Sequence, residues 1–287
     1  MSLQKLVCPN EPEMFNRLSS RVLAVRVDDA AEVASAASDV NSSGNLLLCV
    51  ILETDAPLAA LNLREEWTGI PLALFAPETG RFRDLRKGLE LLRKLNVRVY
   101  LPARNNDNLS GLRILASVGV PGCITFEEGG IDWDALADLM TYAVLGLLPH
   151  APIDPFVYIA EHYDPLQYTE WGSVWFDDPK KFLHLDNQGR VALSQEELMA
   201  GRFIAEDILE LENPLSCQGY VEKITAWRSA FREDHDCSRC PGWRVCLGRF
   251  AANGEPLAGC TTFFSEMMEV AEQYQAQRAE ANSIWQP

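Results

Sequence analysis

The first half of the chain alternates short apolar runs with longer amphipathic ones, and this alternation narrows its possible folds more than any other feature. Strand candidates are residues 21–27 (RVLAVRV), 46–52 (LLLCVIL), 70–76 (IPLALFA), 97–103 (VRVYLPA) and 120–126 (VPGCITF). Helix-like stretches separate them at 29–40, 57–67, 82–95 and 108–119. In the third of these, Phe82, Leu85, Leu89, Leu92 and Leu95 share one face and charge occupies the other, as on a helix lying against a sheet. Gly119 stops the last one, and Pro121 introduces the strand that follows. Such alternation predicts an α/β fold with a parallel sheet and right-handed crossovers. Five strands are too few to close an eight-stranded barrel, so a partial (β/α) barrel-like sheet fits best.

In parallel α/β folds the chemistry gathers at the C-terminal ends of the strands. Asp28, Asp29, Glu53, Asp55, Glu78, Arg104 to Asn108, Glu127 and Glu128 fall there. They read either as a carboxylate-lined pocket or as ordinary polar loops. In the second reading Asp29 and Asn108 are helix caps, and Glu127-Glu128 before Gly129-Gly130 is a solvated turn. The chain contains no phosphate-cradling glycine loop, no Gly-x-Ser-x-Gly elbow and no His-Glu-x-x-His helix.

A helix over 133–148, capped by Asp132 and stopped by Pro149, ends this half. Residues 149–179 are rich in proline, aromatics and acids and read as an irregular linker, or else as an exposed aromatic surface. Residues 181–193 alternate apolar and polar around Asp186-Asn187-Gln188-Gly189, which is a β-hairpin signal. Ser194 with Glu197 forms a capping box, and further helices are expected over 219–234 and 263–281.

Between these last two helices lie Cys237, Cys240, Cys246 and Cys260, spaced Cys-x2-Cys-x5-Cys-x13-Cys. Two residues between cysteines let both sulfurs converge on one centre. Pro241, Gly242, Gly254, Pro256 and Gly259 break the remainder into a wrapping loop. Four thiolates suit a tetrahedral zinc or an iron–sulfur cluster, the alternative being a disulfide pair or free thiols, which is less common for a cytosolic run of this kind. Both centres come out anionic, so Arg239, Arg244 and Arg249 would help either and do not choose between them. Zinc ribbons usually carry two Cys-x2-Cys knuckles, and only one is present here. His235 lies two residues before Cys237, but four cysteines already complete a ligand set; it reads as an outer partner or a solvent-exposed residue. Cys8, Cys49, Cys123 and Cys217 are scattered, and Cys49 and Cys123 sit in apolar runs as buried small hydrophobes.

The chain has 287 residues, 47% hydrophobic and 23% charged, with a formal net charge of −16. Length alone favours two cores. The acidic balance argues against nucleic acid and against anionic membrane surfaces, since both need a basic footprint. No apolar run is long enough to span a bilayer, and the N-terminus lacks a charged-then-apolar export signal; a cytoplasmic location is expected.

From about Phe182 to Cys260, the hairpin, the helical stretch and the cysteine run resemble a SPASM domain, the C-terminal extension of many radical-SAM enzymes that modify peptides and proteins. The resemblance implies that Cys237, Cys240, Cys246 and Cys260 bind one auxiliary [4Fe–4S] cluster. The N-terminal half resembles a radical-SAM partial barrel, and residues 81–120 look like the helix–strand–helix of its second half. The implied organisation is a barrel-like domain over 1–150, a linker over 151–180, and a small α+β metal-binding domain over 181–287.

Two departures shape the expected function. The family's Cys-x3-Cys-x2-Cys loop, which leaves one iron open to S-adenosylmethionine, is absent. Where many relatives place cysteines for a second auxiliary cluster, this chain has Ser194 and Phe250. The expectation is a catalytically degenerate accessory protein with one centre and no catalytic residues of its own. Its partner would be a protein or peptide, such as an active radical-SAM enzyme or its substrate. The alternatives are an enzyme of unrecognised chemistry using strand-end carboxylates, and a zinc-stapled structural domain.

Overall fold

The computed structural model describes residues 4–126, 130–232, 236–252, 255–256 and 258–284. Glu127, Glu128, Gly129, His235 and Gly254, singled out above, lie outside the described residues. In chain order the elements begin with β1 (Lys5–Pro9), α1 (Pro12–Arg17), β2 (Val22–Val27), α2 (Val33–Ser42) and β3 (Leu46–Glu53). Next come β4 (Leu72–Phe75), α3 (Phe82–Lys94), β5 (Val97–Pro102), α4 (Asn106–Ser117) and β6 (Gly122–Thr125). They continue with α5 (Trp133–Leu145), β7 (Ile153–Asp154), α6 (Phe156–His162), β8 (Phe182–Leu185) and β9 (Val191–Ala192). The last are α7 (Gln195–Met199), α8 (Gln218–Arg232), α9 (Trp243–Cys246), β10 (Ala251–Ala252), β11 (Glu255–Pro256) and α10 (Cys260–Ile284). Among the described residues no helix is long and apolar enough to cross a membrane.

The protein is α/β with a mostly parallel sheet. It condenses into two compact units, each drawn from two stretches of chain: Met1–Leu101 with Gly172–Ile224, and Pro102–Trp171 with Thr225–Pro287. The boundary expected near residue 150 therefore falls inside the second unit, and the one near 180 inside the first.

In the first unit the strand order is β5-β4-β3-β2-β1-β8-β9. From β1 to β5 each strand lies parallel beside its predecessor, with Leu6 opposite Leu23, Val50 opposite Leu72 and Leu72 opposite Val97. β8 runs parallel to β1 on its other side, with Val7 opposite His184, and β9 returns antiparallel as the expected hairpin. The Asp186 carboxylate accepts from the Gln188 and Arg190 amides, and Gly189 takes φ +86°, so the turn closes where the sequence places it. Asp29 caps its helix by accepting from the Ala31 amide, and Ser194 caps α7 by accepting from the Glu197 amide at 3.2 Å.

Three sequence expectations change here. β1 is an additional strand, and it is central: β2 and β8 pair with its two edges, and Leu6, Val7 and Cys8, which alternate between the faces of the sheet, are all buried. A strand covered on both faces shows no alternation, so its sequence is only a short apolar run. Residues 57–67 form two 3-10 turns, Leu58–Ala60 and Glu65–Trp67, instead of one helix. Leu58 and Trp67 are both buried, and nine residues of helix would set them about 180° apart. Breaking the helix lets both enter the core. Phe82, assigned to the buried face of α3, is exposed at its first residue, while Leu85, Leu92 and Leu95 are buried.

The second unit packs α5 and α6 against α10, and α4 against α5 and β6. β6 and β7 pair in parallel, with Gly122 opposite Ile153. The stretch expected to be an irregular linker thus contributes β7, α6 and the fully buried Trp171. Asp132 caps α5 as expected, by accepting from the Ala135 amide. The cap of α4 is Asn105, not Asn108. Asn108 is wholly buried inside that helix and donates to the Pro102 carbonyl at 3.0 Å.

Candidate metal centre

The described residues from Cys237 to Cys246 fold from tight local turns. Cys237 lies in a single 3-10 turn, Asp236–Arg239, and its carbonyl accepts from the Cys240 amide at 3.2 Å. The Cys240 carbonyl accepts from Trp243, which opens the one-turn helix α9. Cys246 ends that helix because Leu247 and Gly248 follow in left-handed conformations, at φ 56° and +74°. Cys260 is the first residue of the 25-residue helix α10. Helix N-termini favour thiolates, since their amides carry partial positive charge.

All four of these cysteines line one small cavity, together with Trp243, Gly248, Phe250 and Phe264. Its free volume is only about 10 Å³, room for roughly one water. Cys237, Cys246 and Cys260 are buried, and Cys240 is partly exposed. Burial pushes the Cys246 thiol up to about 11, opposed by the nearby backbone amides of Phe250, Gly248 and Arg249. The Cys240 thiol lies 3.7 Å from the Thr261 hydroxyl on the first turn of α10.

An aromatic shell holds this loop in place. Phe250 packs edge-on to Phe126 at 4.8 Å and to Trp133 at 5.5 Å, and lies 5.3 Å from Phe264. The Trp171 indole donates to the Val245 carbonyl at 2.6 Å, and the Thr169 amide donates to the Arg244 carbonyl at 2.9 Å. Two glycines are required by close approach. A Cβ on Gly242 would stand 2.5 Å from Phe264 Cβ, and one on Gly259, at φ +91°, would stand 2.4 Å from Trp133 Cδ1. Of the three arginines, Arg249 pairs with Glu170 at 2.8 Å and lies over the Trp171 ring, while Arg239 and Arg244 are exposed.

The structure thus brings together the four cysteines singled out by spacing, although as they stand no three His, Cys, Asp or Glu side chains among the described residues form a group that could hold a metal ion. The residues fit the chemistry of a thiolate-bound centre: four sulfurs on one cavity, apolar walls, and backbone amides near a sulfur. Phe250 forms part of the cavity wall, and Ser194 serves as a helix cap. The walls were not legible in the sequence, beyond the density of aromatic residues on either side of the cysteines.

The remaining cysteines have other surroundings, and none of the eight forms a disulfide. Cys8 and Cys49 are buried in β1 and β3, and burial raises both thiols to about 12, far from the thiolate that binds metal. Cys123 is fully buried in β6. Cys217 precedes α8, and its sulfur accepts from the Tyr220 amide at 3.4 Å as a helix cap. Asp28, Asp29, Glu53, Asp55 and Glu78 are exposed. A larger recess of about 560 Å³, between residues 57–63 and α3, holds scattered charges such as Arg81 and Lys87 and no convergent polar set.

One polar cluster went unnoticed in the sequence. Arg26, near the end of β2, donates to Gln195 and to His184 Nδ1, and its Nε stands 3.6 Å from Glu53. Burial lowers the Arg26 pKa, against the pull of Glu53, Cys8 and Asp177. A charged residue inside an apolar parallel strand was the available signal. Compared with protein-family models, curated proteins and solved structures, the chain matches none.

Proposed function

We propose that this chain is a catalytically degenerate relative of the radical-SAM proteins with a SPASM-like metal segment, acting as an accessory protein in peptide or protein modification. Cys237, Cys240, Cys246 and Cys260 would hold one auxiliary [4Fe–4S] cluster. When bound, such a cluster supplies a one-electron redox site and a covalent staple for the loop. The observation that carries the reading is the single cavity shared by all four sulfurs, closed by aromatic rings, with backbone amides near Cys246.

Sequential parallel strands from β1 to β5 support a partial (β/α) barrel as the body of the first unit. The absent Cys-x3-Cys-x2-Cys loop, together with the protonated state that burial imposes on Cys8 and Cys49, supports a role in binding, scaffolding or electron relay. The partner would be a protein or peptide, such as an active radical-SAM enzyme or its substrate.

Anaerobic preparation tests this directly. The reading expects a brown protein absorbing near roughly 400 nm, with about four iron and four sulfide per chain. It also expects no cleavage of S-adenosylmethionine when dithionite is added. A colourless protein carrying about one zinc would instead establish the zinc-stapled alternative.

A further inference from the structure

The cysteine cavity has an inner and an outer side. Phe250 and Phe264 form the inner wall; both are buried and stack into the aromatic core of the second unit. Among the lining side chains, Cys240 and Trp243 are the partly exposed ones. The Trp243 ring covers Gly248: a Cβ there would stand 3.0 Å from Trp243 Cζ3. Trp243 also lines a surface recess of about 460 Å³ with Leu166, Gln167, Tyr168 and Arg244. The same side chain is therefore a wall of the cavity on one face and of the open recess on the other.

We propose that Trp243 is the shutter of the metal centre. Small reagents reach the ligand set from the Leu166–Tyr168 recess, past the indole and the partly exposed Cys240, and the size of the residue at 243 sets how fast they do so. The physical reason is that an apolar shell around a metal site controls access by solvent. The inference rests on the four cysteines holding a metal, and it assigns a role to a residue that is not a ligand.

The test uses the full chain, reconstituted anaerobically with iron and sulfide, as wild type, Trp243→Ala, Trp243→Leu and Trp243→Phe. Each is challenged with EDTA, and separately with dioxygen, while the absorbance near roughly 400 nm is followed. The inference expects equal starting iron and sulfide and unchanged circular dichroism. Trp243→Ala should then lose its absorbance on the order of tenfold faster, Trp243→Leu at an intermediate rate, and Trp243→Phe close to wild type. Equal rates in all four chains would overturn it, and Trp243→Leu and Trp243→Phe carry the comparison if the alanine variant fails to load. Failure of the underlying reading looks different: wild type itself takes up neither iron nor sulfide. A zinc-loaded protein then answers the access question by its rate of metal release to a coloured chelator, with the same expected order.

Discussion

Arg26 and His184 stand on β2 and β8, the two strands that flank β1, and a 3.0 Å hydrogen bond from Arg26 Nη2 to His184 Nδ1 joins them across it. A guanidinium can only donate, so Nδ1 must accept and the ring proton sits on Nε2. There it donates to the Phe176 carbonyl at 2.9 Å. Burial, and then the Arg26 charge, lower the His184 pKa from 6.5 to about 3. The histidine is a neutral structural link.

This link gives the fold a pH dependence. The unfolded chain protonates His184 below about pH 6.5, while the folded chain resists until about pH 3. Its stabilising contribution is therefore complete above 6.5 and declines as the pH falls through that window, by up to about 1.4 kcal/mol per pH unit. His184→Gln keeps an acceptor and a donor without the titration. Urea midpoints of the two proteins should converge as the pH drops from 6.5 to 4. Parallel curves would show that His184 is not the group responsible.

Two cysteine substitutions should separate the proposed metal centre from the core. Cys240→Ser removes a cavity sulfur, so metal content should collapse and proteolysis should quicken in the second unit, since metal binding and folding are coupled. Cys49→Ser places a hydroxyl in buried β3, costing about 1–3 kcal/mol while leaving metal content unchanged. Metal analysis and limited proteolysis of the two variants check this. Metal loss from Cys49→Ser would contradict the assignment of ligands.

Gly259→Ala tests the close approach at the start of α10. The position has φ +91°, and a methyl group would meet the Trp133 ring at 2.4 Å. Strain and overlap together should cost about 2–4 kcal/mol. Thermal unfolding should begin earlier, whereas Gly119→Ala, which has a similar φ but nothing within 4 Å, should cost only the backbone strain.

Trp171→Phe removes the donor to the Val245 carbonyl while keeping an aromatic ring in the core. Leaving that buried carbonyl unpaired should cost about 1–3 kcal/mol. The loop between Cys240 and Cys246 should become looser, seen as faster amide exchange at Val245 and Cys246. Unchanged exchange would mean that the shell, and not this hydrogen bond, sets the loop.

How far these features were legible depends on how local they are. Asp29, Asp132 and Ser194 act on amides two or three residues away, and the Asp186 turn closes on itself, so each was readable in place. The spacing of Cys237, Cys240 and Cys246 is likewise local, because short turns carry the chain from one to the next. Trp171 and Trp133, by contrast, reach the cysteine loop from distant stretches of chain, and no local pattern marks them as its supports.

The sequence by itself determined the α/β alternation, the caps at Asp29, Asp132 and Ser194, the hairpin, and the spacing that put Cys237, Cys240, Cys246 and Cys260 forward as one set; the first three follow from side-chain period and short-range hydrogen bonding. Only the tertiary structure decided that β1 is central, that β8 pairs beside it, that residues 57–67 break to bury both Leu58 and Trp67, and that Arg26 meets His184. Those outcomes depend on which distant surfaces are buried together. That choice is made by the whole chain at once, because the free energy of removing apolar area from water is indifferent to sequence separation.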